Sequence, residues 1–142
     1  MRVALVTALA VYAIVSAGPA AADVLHYTAS LNGASETPPN DSAGTGTAAV
    51  TLDDAAKTVS WTVSYGGLTG PATMAHFHGP APVGQAAGVE VPLNGALASP
   101  ITGSAPVTDA QIADLKAGQW YVNVHTAAHP KGEIRGQVTP AH

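Results

Sequence analysis

The stretch MAHFHGP (74–80) sets His76 and His78 two residues apart in a chain with six histidines and no cysteine. Successive side chains of a β-strand point to opposite faces, so residues i and i+2 share one face with Cα atoms about 6.6 Å apart. Two imidazoles so placed can converge on one ion. A third from a neighbouring strand completes a three-nitrogen site, and QWYVNVHT (119–126) offers it in His125, with His129 four residues later. Imidazoles without thiolates suit copper(II) or zinc, and copper(II) also accepts a tetragonal arrangement with an open or weak axial position. The predicted metal ligands are therefore His76, His78, His125 and His129, with copper as first choice and zinc as second. Met74 lies on the same face as His76 and could add a weak thioether ligand favouring copper(I). An H-x-H pair alone is also what the polar side of a strand presents in a Thr/Ser-rich chain. His26, outward on the first strand, and His142, the last residue, read as solvated positions.

The elements that must carry these residues are visible as alternation. KTVSWTVSY (57–65) places Val59, Trp61, Val63 and Tyr65 on one face and Thr58, Ser60, Thr62 and Ser64 on the other, a strand with one buried and one wet side. QWYVNVHT repeats the pattern, with Trp120, Val122 and Val124 inward and Tyr121, Asn123 and His125 outward. In ATMAHFH (72–78), Ala75 and Phe77 face the core, so His76 and His78 face away from it. VLHYTASL (24–31), GTAAVTL (46–52), VEVPL (89–93) and GEIRGQV (132–138) are further strands, separated by turn signals such as DDAAK, GG, HPKG and the Gly/Pro-rich GPAPVGQAAG. Seven short strands at this spacing predict an all-β fold, an antiparallel, Greek-key-like β-sandwich of about seven to eight strands. One short helix is expected near 108–117. Thr108 is its N-cap, Gln111 occupies the capping-box position, Ile112 and Leu115 form an apolar stripe, and Gly118 stops it. Too short to stand alone, it reads as a plug closing one end of the sandwich. NGASETPPNDSAGTG (32–46) is a polar loop kept out of the sheet by Pro38 and Pro39.

Residues 1–22, MRVALVTALAVYAIVSAGPAAA, combine Arg2, an apolar run from Val3 to Val15 and a small-residue end at Ala20-Ala21-Ala22. This pattern is that of a secretory signal peptide, with the mature chain starting near Asp23 and forming one domain over 23–142. A periplasmic or secreted location follows. The apolar run is shorter than the roughly 18 residues of a membrane span, so no membrane attachment is expected after cleavage. Removing Arg2 takes the formal net charge from −4 to −5, a surface that does not attract nucleic acid. Without cysteine there are no disulfides, so stability must come from burial or from a bound ligand.

AHFHGPAPVGQAAGV (75–89) followed by GQWYVNVHTAAHPKGEIRGQV (118–138) resembles the CHRD domain, the module named from chordin and found also as a stand-alone secreted bacterial protein. YTASLNGASETPP (27–39) and AGTGTAAVTLD (43–53) resemble its N-terminal part, so the likeness covers nearly all of the mature chain. The positions that fit its motifs are His76, His78 and Gly79, then Asn123, His125, Gly132, Glu133, Arg135, Gly136 and Gln137. His129 stands where the motif is variable. The resemblance implies an extracellular module, and in chordin the repeats belong to a growth-factor antagonist. In arrangement, the histidines are also similar to the copper centre of copper-zinc superoxide dismutases, but no cysteine pair and no dense histidine and aspartate loop accompany them.

Three functions are consistent with these residues. The first is an exported protein holding or delivering copper through the histidine cluster. The second is a non-catalytic module in which the histidines only hydrogen-bond loops while a protein partner docks. The third is a redox enzyme of the superoxide-dismutase kind, in which Arg135 would steer the anion. Glu133, outward like His125, would either accept a ring N–H from a metal-bound histidine or clamp a loop. No serine or carboxylate pair sits in a nucleophile motif, so a hydrolase is not expected and a non-catalytic role is favoured.

Overall fold

Residues 23–142 are described by a computed structural model, and the expected signal peptide, residues 1–22, lies outside them. Among the described residues the alternating segments form nine strands: β1 (Val24–Asn32), β2 (Thr45–Asp53), β3 (Thr58–Gly66), β4 (Ala72–His78), β5 (Val89–Pro92), β6 (Ile101–Pro106), β7 (Tyr121–Thr126), β8 (Ile134–Gln137) and β9 (Thr139–Pro140). All pair antiparallel in one sheet of order β5-β4-β7-β8-β1-β2-β3-β6, with β9 against β1. The all-β antiparallel reading holds. Its two layers are the two halves of this sheet, folded so that Phe77 on β4 meets Trp61 on β3 with ring centroids 5.7 Å apart.

Burial explains the folding over. Each half turns an apolar row inward: Val59, Trp61 and Val63 from β3, Val50 and Leu52 from β2, Ala75 and Phe77 from β4, and Val122 and Val124 from β7. Trp120 stands at the centre, fully buried and 5.7 Å from Phe77. The sheet is nearly closed, because β5 and β6, the ends of the order, flank a cavity lined by Trp61, Val91 and Gly103. Strand β6 escapes sequence reading because ITGSAP holds a glycine and ends in proline, both strand-weakening residues. It forms because it pairs Gly103 with Trp61. A β-carbon at Gly103 would come 2.6 Å from the indole, so only glycine lets that ring lie against the strand.

The helix forms as read. It is α1 (Asp109–Lys116), with Thr108 as N-cap in a complete capping box with Gln111, while Gly118 turns the chain at φ +73°. Ile112 and Leu115 enter the core, and Gln111 Nε2 donates to Glu90 O at 3.1 Å, tying the helix to β5.

The two halves join where β8 meets β1, and there one residue pair, Asn32 with Arg135, is in register. Gly136 permits this approach, since a β-carbon there would collide with the carbonyl oxygen of Ser30. Gly136→Ala is therefore expected to cost about 1–3 kcal/mol by overpacking. Gly66→Ala, at a position with open space around it, is the control and should be close to neutral. Urea unfolding of the two variants checks this, and equal stabilities would mean that the seam yields without cost.

Candidate metal centre

Strand β4 lies beside β7, and this neighbourhood is what the histidines require. The antiparallel register sets Met74 opposite His125, His76 opposite Asn123 and His78 opposite Tyr121. His76, His78 and His125 therefore share one face and gather so that one nitrogen from each lies within 4.8 Å of the others. His76 Nδ1 is 3.3 Å from His125 Nε2. Two nitrogens bound to one ion at about 2.0–2.1 Å and a tetrahedral angle are about 3.3 Å apart, so the spacing fits a shared ion.

The face is not wet. Tyr121, Asn123 and His125, expected to face solvent, are buried, as are Glu133 and Arg135. The polar loops fold back over β7 and β8 because two buried charged groups demand partners. Glu133 is fully buried and its carboxylate accepts from Ser42 Oγ at 2.6 Å, Thr126 Oγ1 at 2.6 Å, and Thr69 N and Oγ1 at 2.8 Å each. Burial alone would raise its pKa, but the hydrogen bonds outweigh that and hold it at about 2. Glu133 is thus a loop clamp with no contact to a histidine ring. Arg135 is equally enclosed: Nη1 donates to Thr37 Oγ1 at 2.9 Å, Nη2 to Gln85 O at 2.7 Å, and its guanidinium lies 3.5 Å over the Tyr121 ring. The expectation that Arg135 steers an anion is corrected: at 2 % exposure, enclosed against Tyr121, Thr37 and Gln85, it presents no field-focusing surface charge.

Two of the three gathered rings are held from behind. His78 Nδ1 faces Ala87 O at 3.0 Å and His125 Nδ1 faces Pro130 O at 3.0 Å. His78 also stacks parallel on Tyr121 at 4.8 Å. Their Nε2 atoms both point at Asn123 Oδ1, 3.0 Å from each. Burial lowers the pKa of His76 and of His78, and the adjacent histidines add to it, so both favour the neutral ring.

His129 is not part of the group. Its backbone N–H donates to Thr126 Oγ1 at 3.2 Å, and its side chain lines a separate cavity of about 230 Å³ with Glu36, Pro38 and Pro130. His26 faces Thr51 on the outer side of β1, and His142 is exposed at the end of the chain. Sequence reasoning counted Asn123 among the motif positions without giving it a place in the site, and passed over Glu36. An asparagine between Val122 and Val124 in mid-strand is a β-disfavoured residue and was a usable signal; Glu36, inside a polar loop, gave none.

A family model of the CHRD domain matches residues 27–138. The chain belongs to the CHRD-domain family. Membership makes it a module of extracellular type, and the three gathered histidines lie within the matched stretch. No curated protein and no solved structure matches the chain. Among the described residues of this CHRD domain, no helix is long and apolar enough to cross a membrane.

The Glu133 clamp sets a pH dependence. Its folded pKa of about 2 lies below the ordinary 4.5, so its stabilisation is complete above pH about 5 and is lost as pH falls toward 2. That difference corresponds to about 3 kcal/mol. Glu133→Gln should flatten the stability profile between pH 2 and 5, measured by urea unfolding at stepped pH. An unchanged slope would assign the acid sensitivity to other groups.

Proposed function

We propose that this CHRD domain holds one copper ion through His76, His78 and His125, in an exported setting reached with residues 1–22 as the export signal. Its role in this reading is holding or delivery of copper.

One observation carries the proposal. A neutral imidazole has one N–H, yet His78 faces two oxygen acceptors, Ala87 O and Asn123 Oδ1, and His125 faces two, Pro130 O and Asn123 Oδ1. One lone pair on each ring must then oppose an oxygen lone pair unless a cation lies between them. A second proton on the ring would serve, but burial disfavours the charged ring of His78. A metal ion removes the conflict, and the backbone carbonyls behind each ring fix the tautomer that leaves Nε2 free for it. Copper(II) stands at the top of the affinity order of divalent ions, and imidazole donors without thiolate suit it as they suit zinc. His129, outside the gathered three, takes no part in this reading. Bound copper would supply a redox-active, Lewis-acidic centre.

A second reading is a protein-docking module. It is favoured by Val83 and Val89, exposed at 78 % and 52 % on the segment next to the site.

A copper(II) titration of the exported protein, purified without a histidine tag, distinguishes the two. Copper holding predicts one equivalent bound, an electron paramagnetic resonance signal with imidazole-nitrogen hyperfine structure, and a loss of more than about 100-fold in affinity for His78→Ala with the metal-free fold retained. Weak binding that His78→Ala does not change would refute it and leave the docking module.

A further inference from the structure

The gathered histidines leave the ion short of a donor that water cannot easily supply, because Asn123 fills the space between them at 3 % exposure. Its Oδ1 lies 3.0 Å from His78 Nε2 and 3.0 Å from His125 Nε2. Donors on one ion at about 2.0–2.2 Å stand about 3 Å apart when their bonds are near right angles. Oδ1 therefore sits at the distance of a ligand sharing an ion with both rings.

An amide can turn either end inward, and its surroundings decide which. Turning the NH2 group toward the rings would give both Nε2 atoms a donor and abolish the cation site. The other side of Asn123 opposes that turn. Glu36 is 6 % exposed, and its Oε1 is buried without a well-aligned donor. The Asn123 amide nitrogen is the polar group on that side: it and Glu36 Oε1 both crowd the space in front of Gly132, where a β-carbon would collide with Oε1 and stand 2.7 Å from Asn123 Nδ2. Placing the amide oxygen there would set it against a carboxylate in a buried space, where unmade polar contacts are costly. Gly132, at φ +126°, is what admits this contact, since any side chain would displace Glu36 from the amide.

We propose that Asn123 Oδ1 is the fourth donor to the ion, and that Glu36 is the positioning residue that keeps this oxygen turned toward His78 and His125. The assignment rests on the metal reading of the histidines and extends it to a three-nitrogen, one-oxygen donor set. That set is harder than three imidazoles alone, and so favours copper(II) or zinc over copper(I).

Asparagine labelled with ¹³C at the amide carbon, incorporated into the untagged exported protein and loaded with copper(II), tests this by pulsed electron paramagnetic resonance. The expected result is a ¹³C coupling beside the imidazole-nitrogen couplings, absent in Asn123→Ala. In Glu36→Gln the nitrogen couplings should persist while the ¹³C coupling weakens and copper affinity falls about tenfold. Imidazole couplings without any ¹³C coupling in the unaltered protein would overturn Asn123 as a ligand, and this arm needs no variant to fold. An unchanged ¹³C coupling and affinity in Glu36→Gln would overturn the positioning role. A copper signal lacking imidazole couplings would overturn the histidine site itself, a distinct failure.

Discussion

A carboxylate removed from water must find donors or give up its charge, and Glu133 finds four. They come from three separate stretches of chain: Ser42 in the loop after β1, Thr69 in the connection from β3 to β4, and Thr126 at the end of β7. Sheet pairing sets Thr126 opposite Ala72, three residues from Thr69, but does not place the loop of Ser42 against either. A buried charge with excellent hydrogen bonds does so, and breaking such a set costs far more than an exposed ion pair is worth. The polar covering over β7 and β8 depends on it, and the histidine group lies under that covering.

Arg135 works on the same face from the next outward position. It reaches Thr37 and Gln85 with its guanidinium and lies flat on Tyr121, which in turn stacks on His78. The layered Arg-Tyr-His packing fixes the plane of the His78 ring, while Ala87 O fixes its proton. A cation over an enclosed aromatic ring contributes up to about 2 kcal/mol. The loop 79–88, rich in glycine and proline, is ordered by these contacts and by Gln137 Nε2, which donates to Ala81 O at 2.9 Å. Its composition would otherwise leave it free. The ring orientations that define the centre are thus set by residues that touch no ion.

The donors that converge on Asn123 Oδ1 gain their chemistry from what stands behind them. Ala87 O and Pro130 O each take up the single proton of the neutral ring they face, and burial holds His78 toward that neutral form. His76 differs, because it is half-buried and borders a cavity with Met74 and Asn94. The centre is closed on the side of Glu36 and approachable on the side of His76.

The sequence alone determined the strands whose inward rows alternate cleanly, the capped helix from Thr108, the face shared by His76 and His78, and the motif residues that resemble the CHRD domain. These are local facts: period-two alternation and capping chemistry act over a few residues and need no partner strand. The tertiary structure decided that β4 lies next to β7, which turned an H-x-H pair and a distant His125 into one group. It decided that the outward faces of β7 and β8 are dry, because alternation marks a face as polar without saying whether solvent or another polar loop covers it. It also recruited β6, whose glycine is tolerated only because Trp61 fills the space, and left His129 aside. Asn123 and Glu36, 87 residues apart in the chain, could be joined only by a fold that closes the polar loop over the sheet. Register, coverage and long-range polar contact are properties of packing, and no single stretch of sequence carries them.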